Sequence, residues 1–295
     1  MINSNISYNA QKQCQKLTNF TDMFHYWYSR TFILFNLRES MVNREITFMN
    51  KEGLIIKPLK VTSLQGINYY FGKYKFFENR FDIYASVAVL KDMPETSVSN
   101  EELKEVRKEL KKNWNKYVVG YDFFIDVDCD RHICPKCKDE PDIKKKEETC
   151  PNCGTELVEA EDNFKTAKEW SIKIMDYFNE KKYIYHKKFS GDKGFHFTIP
   201  YKYIKIPHSK YKKFAEDIAK KLEIPFVKGY GIDNSTFDKR RICKVAYSLS
   251  SKTNLVALPL TDEQLINFKK EDYSVSNVLN NVKPLVMRGL LIKNV

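Results

Sequence analysis

Seven cysteines occur in the sequence, and four of them form two closely spaced pairs. The pairs follow the pattern C-x2-C-x12-C-x2-C and comprise Cys134, Cys137, Cys150 and Cys153. Such pairs bind opposite sides of one tetrahedral zinc ion, and the chain between them closes the site. Four thiolates leave no coordination position for a substrate. The spacing therefore predicts a structural zinc module, which we place at residues 130–157.

The other three cysteines, Cys14, Cys129 and Cys243, are scattered along the chain. An odd total combined with paired knuckles favours reduced thiols and a metal over a disulfide framework. His132 precedes the first pair and is a competing ligand, although a surface position suits it better.

Two acids stand directly before the cysteine module. Asp126 and Asp128 end the apolar, β-rich run 117–128, which we interpret as a buried strand. Alternate strand residues point to one face, so the two carboxylates repel each other unless a cation joins them. Oxygen ligands of this kind suit Mg²⁺ or Mn²⁺. Acids after a strand are also common in solvated loops, and the pair alone leaves both interpretations open.

A glycine-containing loop follows further along the chain. The segment S-G-D-K-G-F-H begins at Ser190, contains Gly191, Lys193 and Gly194, and ends at His196. Glycines let backbone N–H groups approach a phosphate closely, and the lysine adds positive charge. A histidine on a strand is as often structural, so the segment is compatible with a phosphate site or with a plain turn.

The remaining pattern is a mixture of helices and strands, which indicates an α/β (α+β) fold. Strands are predicted within 44–61, 80–90, 183–189 and 195–201, and a short one ends at 232–233. Helices are predicted at 19–41, 99–116, 164–181 and 210–222, and another is expected to begin at Ser235.

The formal net charge is +12, which favours a polyanionic partner such as nucleic acid or nucleotide. Twelve lysines but only three acids fall between Lys181 and Lys221, around the glycine loop. A lysine-rich proteome would give the same excess. The amino-terminal end has no signal pattern and no apolar run is long enough to span a membrane. We therefore expect a soluble, intracellular protein with no membrane association.

The order of these motifs resembles the small, catalytic subunit of archaeal and eukaryotic DNA primases. D-x-D is followed by the cysteine pairs and then by S-G-x-x-G-x-H. A hydrophobic residue followed by an aspartate, Ile232-Asp233, and the segment S-L-S-S-K-T come after these. The segments R-E-I-T-F from Arg44 and R-F-D-I from Arg80 add to the likeness, which runs over most of the chain. The resemblance implies one primase catalytic domain over residues 1–295. It would combine an N-terminal α/β unit with an RRM-like unit and the inserted zinc-knuckle module.

The resemblance also implies roles for individual residues. Asp126, Asp128 and Asp233 correspond to the carboxylates that hold catalytic Mg²⁺ or Mn²⁺. Contacts to the nucleotide are implied for Ser190, Gly191, Lys193, Gly194, His196, Lys244 and Lys252. Lys57 and Arg80 match basic positions of the family, and Asp82 falls where eukaryotic relatives have a carboxylate near the ribose. Asp238 competes with Asp233 for the third carboxylate position. Its place in S-x-x-D is typical of a helix cap, so we favour Asp233.

Two positions depart from the family pattern. Ser250 stands where the family often has His, and Asn254 where it often has Gly, which predicts a weaker grip on the triphosphate. The implied reaction is template-directed primer synthesis on single-stranded DNA from NTPs or dNTPs, with a primase large subunit as partner. It would take place in the cytoplasm or nucleoid of an archaeon, or in a eukaryotic nucleus. A primer-extending polymerase of the same superfamily and a non-catalytic zinc-bearing nucleic-acid-binding module are the alternatives.

Overall fold

The structure is a computed structural model that describes residues 27–28, 41–59, 64–91, 100–138, 140–141 and 147–278. The helix predicted at 19–41 falls outside this part, except that Trp27, Tyr28 and Met41 are helical. The strands are β1 Ile46–Met49, β2 Ile55–Leu59, β3 Asp82–Ser86, β4 Ala88–Leu90, β5 Val118–Tyr121, β6 Phe123–Cys129, β7 His132–Ile133, β8 Val158–Glu159, β9 His186–Phe189, β10 Phe195–Ile199, β11 Phe226–Val227, β12 Tyr230–Ile232 and β13 Ile242–Lys244. The helices are α1 Leu64–Lys73, α2 Phe76–Asn79, α3 Asn100–Lys112, α4 Trp114–Tyr117, α5 Asn163–Glu180, α6 Tyr211–Leu222 and α7 Asp262–Ile266, with 3₁₀ turns at His208–Lys210 and Lys270–Tyr273.

The mixed α/β composition predicted from the sequence is confirmed, and the chain divides into two compact units. Unit 1 contains the described residues up to Gly120, together with Ile242–Pro259 and those from Phe268 onward. Unit 2 contains Tyr121–Arg241 and Leu260–Asn267. Among the described helices, none is long and apolar enough to cross a membrane.

Unit 1 is built on a four-stranded antiparallel sheet in the order β13-β3-β1-β2. The β1–β2 hairpin turns at Asn50, whose N–H donates to Leu54 O. Phe48, Phe76 and Phe81 pack with fully buried rings under this sheet. Burial of such rings contributes on the order of 2–3 kcal/mol each.

Unit 2 is built on a five-stranded antiparallel sheet in the order β11-β12-β6-β10-β9. Its main elements follow one another as β6, α5, β9, β10, α6 and β12. This is the β-α-β-β-α-β succession of a split βαβ unit. The four principal strands lie in the order fourth, first, third, second. The residues between β6 and α5 hold the cysteine pairs.

Alternation along the strands decides what each face of the unit 2 sheet carries. Phe123 contacts Tyr211 and Phe214 of α6, and Phe197 contacts Phe178 of α5. The odd-numbered residues of β6 and β10 therefore face the helices. The even-numbered residues, which include Asp126 and Asp128, face the opposite side of the sheet, which we call the acid face.

Several predicted elements are interrupted in the structure. The run 80–90 forms β3 and β4 with a break at Val87, and the run 117–128 forms β5 and β6 with a break at Asp122. The Asp122 carboxylate accepts a hydrogen bond from the Tyr201 N–H, just after the end of the neighbouring strand β10. The prediction of a helix that begins at Ser235 is wrong. That segment forms turns, because the side chain of Asp233 binds the Ser235 N–H in a local turn.

Candidate active site and cysteine cluster

The acid face is centred on Asp126 and Asp128 of β6. Asp126 lies opposite His196 of β10 in the strand register, and Asp128 lies opposite Gly231 of β12. His196 Nε2 is 3.3 Å from Asp126 Oδ1. The imidazole also meets the ring of Phe124 edge to face at 5.1 Å, and both rings are buried. Packing on Phe124 supports the ring, so Nε2 lies close to the carboxylate without donating a hydrogen bond to Oδ1.

Asp233 continues the ladder beside Asp126. Its N–H donates to Asp126 O at 2.9 Å, just after β12 ends. Its Oδ1 accepts from the Ser235 N–H at 2.7 Å, which fixes the side chain at the strand end. The competing Asp238 is exposed and forms an ion pair with Arg241 at 3.2 Å. The structure thus places Asp233, and not Asp238, against the backbone of Asp126.

The acids change one another's protonation. Desolvation, followed by the charge of Asp233, raises the pKa of Asp126 from 3.8 to about 7. Desolvation and the charges of Asp126 and Asp130 raise the pKa of Asp128 well above its usual range. Lys188 and Arg241 act in the opposite sense on Asp126. Desolvation and mutual repulsion of these carboxylates favour a bound cation.

The acids fit a divalent cation of the Mg²⁺ or Mn²⁺ class. Asp126 Oδ1 is buried and makes no hydrogen bond within the described part of the chain, so it offers lone pairs. The available donors are carboxylate oxygens, which hard cations prefer. The oxygens of the three acids do not all lie within 4.8 Å of one another, since the cysteines alone form such a group among the described residues. Asp126 and Asp128 on one face of β6, with Asp233 beside Asp126, would supply the carboxylates.

The loop between β9 and β10 closes on Asp128. Ser190 Oγ accepts from the N–H groups of Asp192 and Gly194 at 3.3 and 3.2 Å, which folds the loop back on itself. Gly191 has φ 84°, a conformation that glycine adopts readily. A Cβ on Gly194 would lie 2.0 Å from Val127 O and 2.2 Å from Asp128 Oδ1. Only glycine lets the loop backbone come this near to the acids.

Lys193, at the tip of this loop, contacts two acids. Its Nζ lies 3.1 Å from Asp130 Oδ1 and 2.6 Å from Glu159 Oε1. Although partial burial disfavours its charged form, these hydrogen bonds raise the pKa of Lys193. The ammonium therefore links the glycine loop to β8 of the cysteine module, and a phosphate would have to compete with two carboxylates for it.

The four predicted zinc ligands come together as one group. Cys134 Sγ is 3.4 Å from Cys153 Sγ, and Cys137 Sγ is 3.5 Å from Cys150 Sγ and 3.8 Å from Cys153 Sγ. Tetrahedral zinc with Zn–S bonds of about 2.3 Å requires Sγ separations of about 3.8 Å. The four thiols thus fit a zinc ion, and β7 and β8 pair antiparallel at the base of the module.

The backbone of the module favours thiolates over thiols. The Cys137 N–H donates to Cys134 Sγ at 3.4 Å and lowers the pKa of Cys134. Hydrogen bonding to Thr155 lowers the pKa of Cys153 to about 6. Thiolates are the form that binds metal, so the local structure prepares the ligands for it. His132 is exposed and its Nδ1 is 3.2 Å from Asp130 O, outside the four-cysteine group.

The other predicted nucleotide contacts belong to unit 1. Asp82 and Lys244 form a buried ion pair at 2.9 Å, and Asp82 Oδ1 accepts from the Ser251 N–H at 2.6 Å. Asp82 thereby ties β3 to β13 and to the loop that carries Lys252, whose side chain is exposed. Arg80 lies at the turn before β3 with φ 49°. Lys57 lies in β2, and its side chain falls outside the described part.

The two departures from the family pattern have structural explanations. Ser250 is fully buried, and its Oγ accepts from the Lys252 N–H at 3.4 Å. The buried Ser250 hydroxyl thus stabilises the turn that contains Lys252. Asn254 has φ 61°, a left-handed conformation that asparagine tolerates better than most residues other than glycine. Replacement of glycine at this position therefore retains the turn.

Sequence reasoning missed two basic residues near the acids. Lys188 lies opposite His196 in the β9–β10 register. Arg241 donates to the carbonyl of Ser235 and pairs with Asp238, so it holds the loop that follows Asp233. Strand alternation back from Ser190 could have placed Lys188 on the acid face. No local pattern marks Arg241, because its partners are turn residues.

No family profile and no curated protein matches the sequence. A solved structure does match: the polymerase domain of ligase D from Mycobacterium tuberculosis, in complex with DNA. The TM-score is 0.56 over 90% of this chain and 89% of that chain, and 13% of the residues are identical. At this identity the likeness concerns architecture. The chain therefore shares the fold of a DNA polymerase domain.

Proposed function

We propose that this protein is a template-directed nucleotidyltransferase that makes primers on single-stranded DNA, as the catalytic subunit of a primase. The observation that carries the proposal is the arrangement of Asp126, Asp128 and His196 on adjacent strands, closed by a loop that only Gly194 permits. The fold shared with a DNA polymerase domain supports it. The β-α-β-β-α-β order of unit 2 is compatible with the RRM-like unit that the family resemblance implies.

The acids, the glycine loop and His196 would have separate roles in nucleotidyl transfer. Asp126 and Asp128, with Asp233 beside them, would hold Mg²⁺ or Mn²⁺, which supplies charge neutralisation at the attacking and leaving oxygens. The loop of Ser190, Gly191 and Gly194 would bring its backbone beside Asp128 and shape the space for the triphosphate, while the Ser190 and Gly194 N–H groups stay bonded within the loop. His196, which packs on Phe124 beside Asp126, would donate to a phosphate oxygen.

The remaining assignments extend the same proposal. Zinc at the four cysteines would be structural, since all four coordination positions are filled by protein. In unit 1, Lys252 would contact the triphosphate, and Asp82 with Lys244 would position the loop that presents it. Lys57 and Arg80 are further candidates for nucleotide contact. A large subunit would contribute template binding at initiation, when no duplex exists to hold the nucleotides, and the reaction would take place inside the cell.

A direct assay tests the function. Unprimed single-stranded DNA is incubated with Mg²⁺ or Mn²⁺ and labelled NTPs or dNTPs, and the products are resolved on a gel. Wild-type protein should form short primers. Asp126→Asn and Asp128→Asn should each lower the rate at least about a hundredfold, because each removes a carboxylate from the cation. Asp238→Asn is the matched control and should retain activity, since Asp238 is exposed and pairs only with nearby turn residues among the described contacts. Equal activity of Asp126→Asn and wild type would refute the proposal.

A second candidate is a polymerase that extends existing primers without initiating new ones. The likeness to a polymerase domain, which covers 90% of this chain, favours it. The same gel separates the two functions when a primed template is run in parallel. Extension without initiation, in the presence of all nucleotides, would assign the second function. A non-catalytic zinc-bearing nucleic-acid-binding module would give no product on either template.

A further inference from the structure

Strand β9 carries two consecutive lysines that point in opposite directions. Lys187 faces the helix side, where it forms an ion pair with Asp262 of α7. Phe189, two residues on, contacts Phe164 of α5 on the same side. Lys188 must therefore project from the acid face, because neighbouring strand residues alternate. The strand thus separates a structural lysine from one directed toward the catalytic acids.

The register places Lys188 in a row with two site residues. Lys188 lies opposite His196, and His196 lies opposite Asp126. Adjacent strands are about 4.8 Å apart, so a lysine, an imidazole and a carboxylate follow one another across three strands. The row is set by main-chain pairing and does not depend on a single side-chain rotamer.

The side chain of Lys188 reaches inward along this row. Its Nζ lies 5.9 Å from the centre of the Phe124 ring, on strand β6. Phe124 is two residues before Asp126 and also supports the ring of His196. The ammonium thus extends across β10 to the place where His196 and Asp126 meet. Its charge lowers the pKa of Asp126, which agrees with this position.

We propose that Lys188 is a further phosphate-binding residue of the active site, whose ammonium contacts the triphosphate of the incoming nucleotide beside His196. The assignment rests on the proposed function. The acid face collects Asp126, Asp128 and Asp233, which would repel a triphosphate, and a cation in the His196 row offsets that repulsion where the phosphates enter. The ammonium lies over the Phe124 ring, which holds it near this row before the nucleotide binds.

Equilibrium binding tests this role. A fluorescent ATP analogue is bound to the full-length protein with Mn²⁺, and ATP or adenosine is used to displace it. Lys188→Met keeps the apolar stem and removes the charge, and it should raise the Kd for ATP at least about tenfold, the loss expected for one charged hydrogen bond. Displacement by adenosine should be unchanged, because adenosine has no phosphate. Lys188→Arg retains the charge and should stay within a few-fold of wild type.

Controls separate this role from two others. Lys205→Met removes one exposed lysine from the same unit and should leave ATP affinity unchanged. Lys188→Gln provides a second neutral variant, and thermal melts establish that each variant is folded. Equal weakening of ATP and adenosine would mean that Lys188 only supports Phe124, and would overturn the assignment, as would unchanged ATP affinity in a folded Lys188→Met or Lys188→Gln. If wild-type protein binds no ATP and incorporates no nucleotide, the proposed function itself fails.

Discussion

At the scale of single residues, the tightest constraint lies at Gly194. A methyl group there would meet a main-chain carbonyl, which cannot rotate away as a flexible side chain would. We expect Gly194→Ala to destabilise the protein by about 1–3 kcal/mol, as overpacking does, and to abolish nucleotide incorporation. Urea unfolding and the primer assay measure the two effects.

Gly72 provides the matched control. It lies in helix α1, and a Cβ at this position would meet no atom within 4 Å. Gly72→Ala should therefore raise stability slightly, by up to about 1 kcal/mol, through helix propensity. If both alanines behaved alike, the close approach of the loop to Asp128 would not be needed.

The raised pKa of Asp126 makes stability depend on pH. The folded protein keeps this proton up to about pH 7, whereas the unfolded chain releases it near its ordinary value of 3.8. The folded state thus binds more protons between these values, so the contribution of Asp126 to stability is lost as pH rises toward about 7. In metal-free protein, Asp126→Asn should consequently be more stable than wild type at about pH 8, and the difference should shrink at lower pH.

Thermal melts at several pH values, with and without Mn²⁺, measure this effect. Mn²⁺ should stabilise wild type more as pH rises, because the ligands must be deprotonated. It should stabilise Asp126→Asn little at any pH. Asp238→Asn is exposed and should follow wild type throughout. A wild-type melting temperature that rises with pH relative to Asp126→Asn in metal-free protein would contradict the assigned pKa.

At the scale of elements, the cysteine module depends on its metal. Besides the cysteines, the described part of residues 130–157 is held by the short β7–β8 pairing, by turns and by a few ion pairs at its base. Cys150→Ser should remove zinc from the protein and lower the melting temperature by several degrees, since metal binding contributes folding free energy. Cys243 lies in β13, outside the four-cysteine group, so the Cys243→Ser variant should keep its full zinc content. Metal analysis of both variants decides the matter, and a folded Cys150→Ser protein with full zinc would contradict the four-cysteine site.

Elements and site residues were predictable to different degrees. Helix α5 and the strands around the glycine loop follow from local periodicity, and the structure agrees with these predictions. The break at Asp122 could not be predicted in this way, because its carboxylate accepts a hydrogen bond from the N–H of Tyr201, which is distant in the sequence. Lys188 was missed for the same reason: its position in the His196 row depends on pairing between strands.

At the scale of the whole molecule, the α/β class could be predicted, but the segments that build each unit could not. Unit 1 is assembled from segments separated by nearly all of unit 2. Its sheet pairs β3 with β13, and the Tyr28 hydroxyl accepts from the Leu249 N–H far along the chain. Sequence periodicity can identify β13 as an extended segment, but no local sequence pattern indicates that β3 is its pairing partner. Such pairings depend on the tertiary fold.

The late position of β13 has a consequence for biosynthesis. The ribosome releases β1, β2 and β3 first, but the fourth strand of their sheet emerges only after Tyr121–Arg241 has been translated. Until then β3 is a nascent edge strand with unpaired backbone groups. Unit 2, whose main segment is continuous, can fold during this interval. Translation speed and chaperone binding over residues 121–241 would therefore govern how much newly made chain avoids aggregation through the β3 edge.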